Sequence, residues 1–165
     1  MSHFTTITTE FKDRECLIQA LYEIKNPKTQ APFRNVHSYD SAIHLKGYRG
    51  DTRLDSVHAS QTQTAEIVIK KENISRASND IGFKRNAQGI YEAIISEFDR
   101  AIGFNTQWLN QLQKIYSEKV IYKKAAQLGA TVEKKVLSNG KIQFQVKPQR
   151  RQQRTTTRQF EQLTN

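Results

Sequence analysis

The sequence predicts an α+β fold: a mostly antiparallel sheet with two helices packed on one face, and a basic, disordered C-terminal tail. Three features lead there. Apolar residues recur at helical spacing in two stretches, 13–24 and 105–128. Short apolar runs are paired across turn-forming residues at "NAQG" (86–89) and "NG" (139–140), the pattern of hairpins. Over 149–157 the chain turns to Gln, Arg and Thr, a composition that buries no core. At 165 residues and 19.1 kDa, the expected organisation is one domain over 1–147, irregular and insertion-like over 25–64, followed by a tail over 148–165. A mean hydropathy of -0.72 also points to a part of the chain outside the core.

Taken in order, residues 3–9 are rich in β-branched side chains and read as a strand. Asp13 then offers an N-cap for a helix whose buried stripe is Cys16, Leu17, Ala20, Leu21 and Ile24, and which Asn26 and Pro27 end. From 25 to 64 periodicity fails. Pro27, Pro32, Gly47 and Gly50 punctuate a polar stretch that holds His37, His44 and His58. So long a loop is uncommon inside a domain, so a strand is expected within it near 34–39 or 44–48. "AEIVIKK" (65–71) is a continuous apolar run flanked by charge, as in a strand covered on both faces. The next hairpin, 81–95 around "NAQG", reads as the sheet centre, with Ile81, Phe83, Ile90, Ile94 and Ile95 in the core. A long amphipathic helix follows, with Trp108, Leu109, Leu112, Ile115 and Tyr116 on one face and Gly129 as its C′ residue. The last hairpin turns at Asn139-Gly140, a type I′ signal, and its alternation of Ile142, Phe144 and Val146 with polar neighbours implies one wet face.

Lys and Arg number 26 against 16 Asp and Glu, a net charge of +10, with a pI near 9.8. Residues 147–165 hold five bases and one acid, so the body is basic in its own right. An acidic or polyanionic partner suits such a chain. No apolar run approaches the roughly 20 residues of a membrane span, so membrane insertion is not expected. The opening residues show neither a signal peptide nor an Arg-rich presequence, and the single cysteine, Cys16, leaves no internal disulfide.

Candidates for chemistry are sparse. Asp80, Glu92, Glu97 and Asp99 read as solvated or salt-bridged charge at strand ends, because nothing in alternating strands fixes two of them as an acid/base pair. Zinc ligands come in close pairs, whereas the histidines are widely spaced and Cys16 lies on an apolar helix face. No catalytic residue, metal or cofactor is expected. "GYRGD" (47–51) lacks the glycine spacing of a nucleotide cradle and reads as a turn presenting Tyr48, Arg49 and Asp51. Together with Asp80, Lys84 and Arg85, these residues make up the candidate binding surface. The doublets Lys70-Lys71, Lys84-Arg85, Lys123-Lys124 and Lys134-Lys135, with Phe83 and Tyr91 as potential stacking partners for bases, keep nucleic acid open as a partner, although no RRM, KH or helix-turn-helix signature is present.

Several blocks, "FKDRECL", "GYRGD", "QTAEIVI", "SNDIGFKRNAQGIYEAIISEFDR" and "QWLNQLQ", in this order behind an initial "MSHF", resemble the Ycf35 family, hypothetical proteins of plastids and cyanobacteria. The resemblance covers most of 1–24, 47–51 and 63–113, and more loosely the last hairpin. It implies a plastid-encoded protein of the chloroplast stroma, which agrees with the missing presequence, and it supplies no catalytic residues. The leading expectation is a non-catalytic accessory protein that binds an unidentified protein partner or complex. An RNA- or DNA-associated protein is the alternative. The third reading is an enzyme whose site is assembled across loops around Tyr48, Asp51 and Asp80.

Overall fold

A computed structural model describes residues 3–49 and 63–148. The fold is α+β. In chain order the elements are β1 (Phe4–Ile7), α1 (Arg14–Glu23), β2 (His37–His44), β3 (Thr64–Ile69), β4 (Ile81–Arg85), β5 (Tyr91–Ser96), α2 (Glu97–Ala101), α3 (Thr106–Gln127), β6 (Ala130–Val136) and β7 (Ile142–Pro148). The chain divides into two compact units, Met1–Tyr116 and Ser117–Asn165. Of the disordered tail expected over 148–165, Pro148 is the last residue of β7 and 149–165 lie outside the described residues, as do Gly50, Asp51 and His58.

The first unit is built on a five-stranded antiparallel sheet in the order β1-β5-β4-β3-β2. Register places Ile67 opposite Phe83, Ile69 opposite Ile81 and Phe83 opposite Ala93, so one face is a continuous apolar layer of buried residues. The two helices cover it. Asp13 caps α1 by accepting the Cys16 N–H at 2.9 Å, and Cys16, Leu17, Ala20 and Leu21 face inward, as their spacing predicts. Phe11 meets Phe83 edge-on at 6.0 Å and Tyr116 of α3 at 5.1 Å. The Tyr116 hydroxyl accepts the N–H groups of Lys12 and Asp13, which fixes the start of α1 against α3. Each large side chain buried here contributes about 1.5–3 kcal/mol.

The opposite face is closed at its centre. Val68, Ile94, Ala65 and Leu45 form a second cluster, with Phe4, Tyr39 and Ile43 packed around it. Gly82 makes room for it, since a Cβ there would stand 2.7 Å from that of Ala65 and 2.9 Å from a Leu45 methyl. Both faces of β3 are therefore covered, which explains its unbroken apolar run.

The strand sought between 25 and 64 is β2, which lies between the two expected positions and touches both. Its register against β3 shifts between Ser38 and Ile43, so no clean alternation survives in "HSYDSAIH". Ile90 is half-buried rather than core, because it sits beside the turn before β5. The Asn139-Gly140 turn is not type I′. Gly140 takes the left-handed conformation (φ +83) and Asn139 does not, while Leu137 N–H donates to the Lys141 carbonyl and Gly140 N–H to that of Leu137. This is a three-residue loop, a type I turn followed by a left-handed glycine. The β4–β5 hairpin uses the same loop, with Asn86, Gly89 (φ +82) and Ile90 in the corresponding places.

The second unit contains the end of α3 and the β6–β7 hairpin, in which Val132 pairs with Val146, Lys134 with Phe144 and Val136 with Ile142. Tyr122 meets Phe144 edge-on at 6.4 Å and Glu118 bridges Lys134 at 3.2 Å. The polar face is wet, as expected, with Glu133 between Lys135 and Lys147. The apolar face is also largely open: Val136 is 71% exposed, and Ile142 and Val146 are 51% exposed. No helix among the described residues is long and apolar enough to cross a membrane.

Candidate functional site

Antiparallel pairing sets Ile81 at the start of β4 beside Ile95 at the end of β5, and so brings together the residues that flank them. Ser78, Asn79 and Asp80 enter β4; Ser96 and Asp99 leave β5. All five are buried. Polar groups without solvent need internal partners: Asn79, Ser96 and Asp99 find one another, Asp80 takes backbone donors and Ser78 the Ser75 hydroxyl. Ser96 is the N-cap of α2, its Oγ accepting the Asp99 N–H at 3.1 Å and donating to Asp99 Oδ2 at 2.7 Å. The same Oδ2 accepts the Asn79 backbone N–H at 3.1 Å and its Nδ2 at 3.2 Å. Asn79 Nδ2 also donates to Ser96 Oγ at 2.8 Å. The second Asp99 oxygen, Oδ1, has no hydrogen-bond partner among the described residues.

The network reaches outward through the segment after β2. Asn79 Oδ1 accepts the Tyr48 N–H at 2.9 Å. Asp80 divides its carboxylate between two backbone donors, Lys46 N–H on Oδ2 at 2.8 Å and Lys71 N–H on Oδ1 at 2.9 Å, while its own N–H donates to the Lys46 carbonyl. Burial pushes the Asp80 carboxyl above the ordinary aspartate value, against the opposing pull of those two backbone hydrogen bonds. Tyr48 is exposed, and the Arg49 guanidinium lies over its ring at 5.4 Å with Nε donating to the hydroxyl at 3.0 Å.

The expected binding surface is thus split. Tyr48, Arg49 and Asp80 come together, and Asp51 lies outside the described residues. Lys84 and Arg85 lie towards the other end of β4, roughly 13 Å further along at about 3.3 Å per residue. There Lys84 Nζ donates to Thr64 Oγ1 at 2.7 Å and the Arg85 N–H to Glu66 Oε1 at 3.0 Å. Reading the acids as solvated charge at strand ends fits Glu97, which is exposed. It is corrected for Asp80 and Asp99, whose burial is possible because backbone and side-chain donors surround them. Phe83 and Tyr91 are buried and cannot stack on bases. Asn79 and Ser96 were not singled out from sequence, yet Ser96-x-x-Asp99 has the spacing of a helix-capping pair, a signal that was there to use.

The arrangement holds backbone in place. Both Asp80 oxygens are engaged by main-chain donors, and the Asp99 oxygen in the network is shared by Asn79 and Ser96. His37 and His44 stand at opposite ends of β2, and no three His, Cys, Asp or Glu side chains among the described residues gather as a metal site.

A family model described as protein of unknown function, DUF1257, matches residues 36–145, two thirds of the chain. The chain belongs to the DUF1257 family. No curated protein and no solved structure matches it. The DUF1257 match starts just before β2 and ends within β7. It takes in the Asn79–Asp99 network, the Tyr48 turn and most of the hairpin, and leaves β1 and α1 outside.

Proposed function

We propose that this DUF1257 protein is a non-catalytic accessory protein that works by binding a protein partner or complex. The supporting observation is the engagement of Asp80, which is buried. Both of its oxygens hold backbone N–H groups of Lys46 and Lys71, so the carboxylate shapes the Tyr48 turn instead of facing a substrate. Tyr48 and Arg49 are then presented on a turn anchored from beneath, as suits recognition by a rigid surface. The resemblance to Ycf35 supports a chloroplast-stromal setting, and fractionation of plastids with the tagged protein tests that location.

The experiment is affinity purification of the tagged full chain from plastid or cyanobacterial lysate, split into nuclease-treated and untreated halves. A defined set of protein partners that survives nuclease and moderate salt is the expected result. Partners that vanish with nuclease, leaving a defined RNA or DNA in the untreated half, overturn the reading in favour of a nucleic-acid-associated protein, whose affinity falls steeply with salt as counterions are released.

A further inference from the structure

We propose that the β6–β7 hairpin is a docking surface for an acidic protein segment that carries aliphatic side chains among its carboxylates. This rests on the binding-protein reading above and names its surface and the chemistry of its partner. Two asymmetries meet on the hairpin's unit. Met1–Tyr116 holds 15 basic and 13 acidic residues, a net of +2, whereas Ser117–Asn165 holds 11 and 3, a net of +8. Of the nine large apolar side chains exposed among the described residues, six (Tyr122, Leu128, Val136, Leu137, Ile142 and Val146) belong to that second unit. Less than a third of the chain therefore carries most of the net charge and, among the described residues, most of the exposed large apolar side chains.

Folding of the unit does not account for this pairing. Val136 and Ile142 face each other across the hairpin and remain 71% and 51% exposed, an adjoining apolar pair left in water that a partner would cover. The neighbouring cations Lys134, Lys135 and Lys147 bridge to two acids, Glu118 and Glu133, so the local field stays positive. Its complement is a surface with carboxylates beside aliphatic groups. β6 and β7 form a two-stranded sheet, so each has an outer edge without a strand among the described residues, and an extended segment gains backbone hydrogen bonds by adding there. Nucleic acid fits less well, because bases stack on aromatic faces and five of the six exposed side chains are aliphatic.

The test titrates two labelled probes, a short peptide of alternating Val and Glu and a single-stranded RNA of equal charge. The proteins are the full chain, Val136→Ser/Ile142→Ser and Lys124→Glu/Lys141→Glu, with thermal melts confirming that all three fold. Expected is tighter binding of peptide than of RNA by the wild type, and a loss of about tenfold in peptide affinity in each double variant. The serine pair should leave RNA affinity unchanged. Absence of peptide binding, tighter binding of RNA, or wild-type peptide affinity in the serine pair overturns the proposal. In the affinity purification, nuclease-resistant partners kept by the serine pair place docking elsewhere and leave the binding-protein reading standing. Loss of all protein partners from the wild type after nuclease removes that reading itself.

Discussion

The two units treat their apolar side chains in opposite ways. In Met1–Tyr116 the centre of the sheet is closed on both faces, by helices over Ile67, Ile81 and Phe83 and by the Leu45 cluster over Val68 and Ile94, and the unit is close to neutral. In Ser117–Asn165 the hairpin keeps Val136, Ile142 and Val146 largely in water amid excess positive charge. The first unit spends the apolar residues of its sheet on the fold, whereas the hairpin leaves apolar residues in water, and the difference separates strands that make a core from strands with side chains left for contacts.

The sharpest way to break this comparison is Ile94→Asp, which puts an unpaired carboxylate between Val68 and Leu45. Its cost exceeds what a domain of about 5–15 kcal/mol can absorb, so the thermal melt should lose its cooperative transition; a normal melt would place Ile94 at the surface. Asp99→Ala comes next. It strands the Asn79 donors in a buried site and should lower stability by about 1–3 kcal/mol in urea titration, with no loss meaning that water replaces the carboxylate.

Asp80→Asn probes the same region through pH. Burial raises the folded-state carboxyl above its unfolded value of 3.8, so the folded chain holds this proton more tightly. Stability from that proton is fully present below 3.8 and is lost as pH rises through the higher folded value. The advantage of wild type over Asp80→Asn should therefore be greatest in acid and shrink through that window. A gap that widens with pH would reverse the sign. The smallest effects are expected at exposed positions. Val136→Ser in the second unit and Glu97→Gln in the first should each stay within about 0.5 kcal/mol, and a larger loss at Val136 would show that the hairpin needs it for folding.

Much of the fold was legible because local chemistry and tertiary packing agree. Asp13 announces α1, Gly129 ends α3, and the apolar run of β3 reports its double cover. β2 was hard to place because a bulge removes the alternation on which strand reading depends. The site was less legible. Asn79, Asp80, Ser96 and Asp99 are polar residues at the ends of strands, a pattern shared with ordinary solvated loops, and what buries them is register between strands together with a segment more than 30 residues earlier in the chain. The openness of the hairpin's apolar face was equally hidden, since alternation reveals which side chains share a face but not whether anything covers it.

The pairing of β1 with β5 sets Phe4 opposite Ser96, so β1 leaves the ribosome well before the strand that will be its neighbour and must wait for most of its unit. Contacts this distant in sequence form late and leave early segments exposed during synthesis. We therefore expect nascent chains stalled before Ser96 to be cut readily by protease around β1, and chains extended past Tyr116 to resist. β1 is held in place by a strand made long after it, and each newly made copy passes through a period in which a chaperone has something to hold.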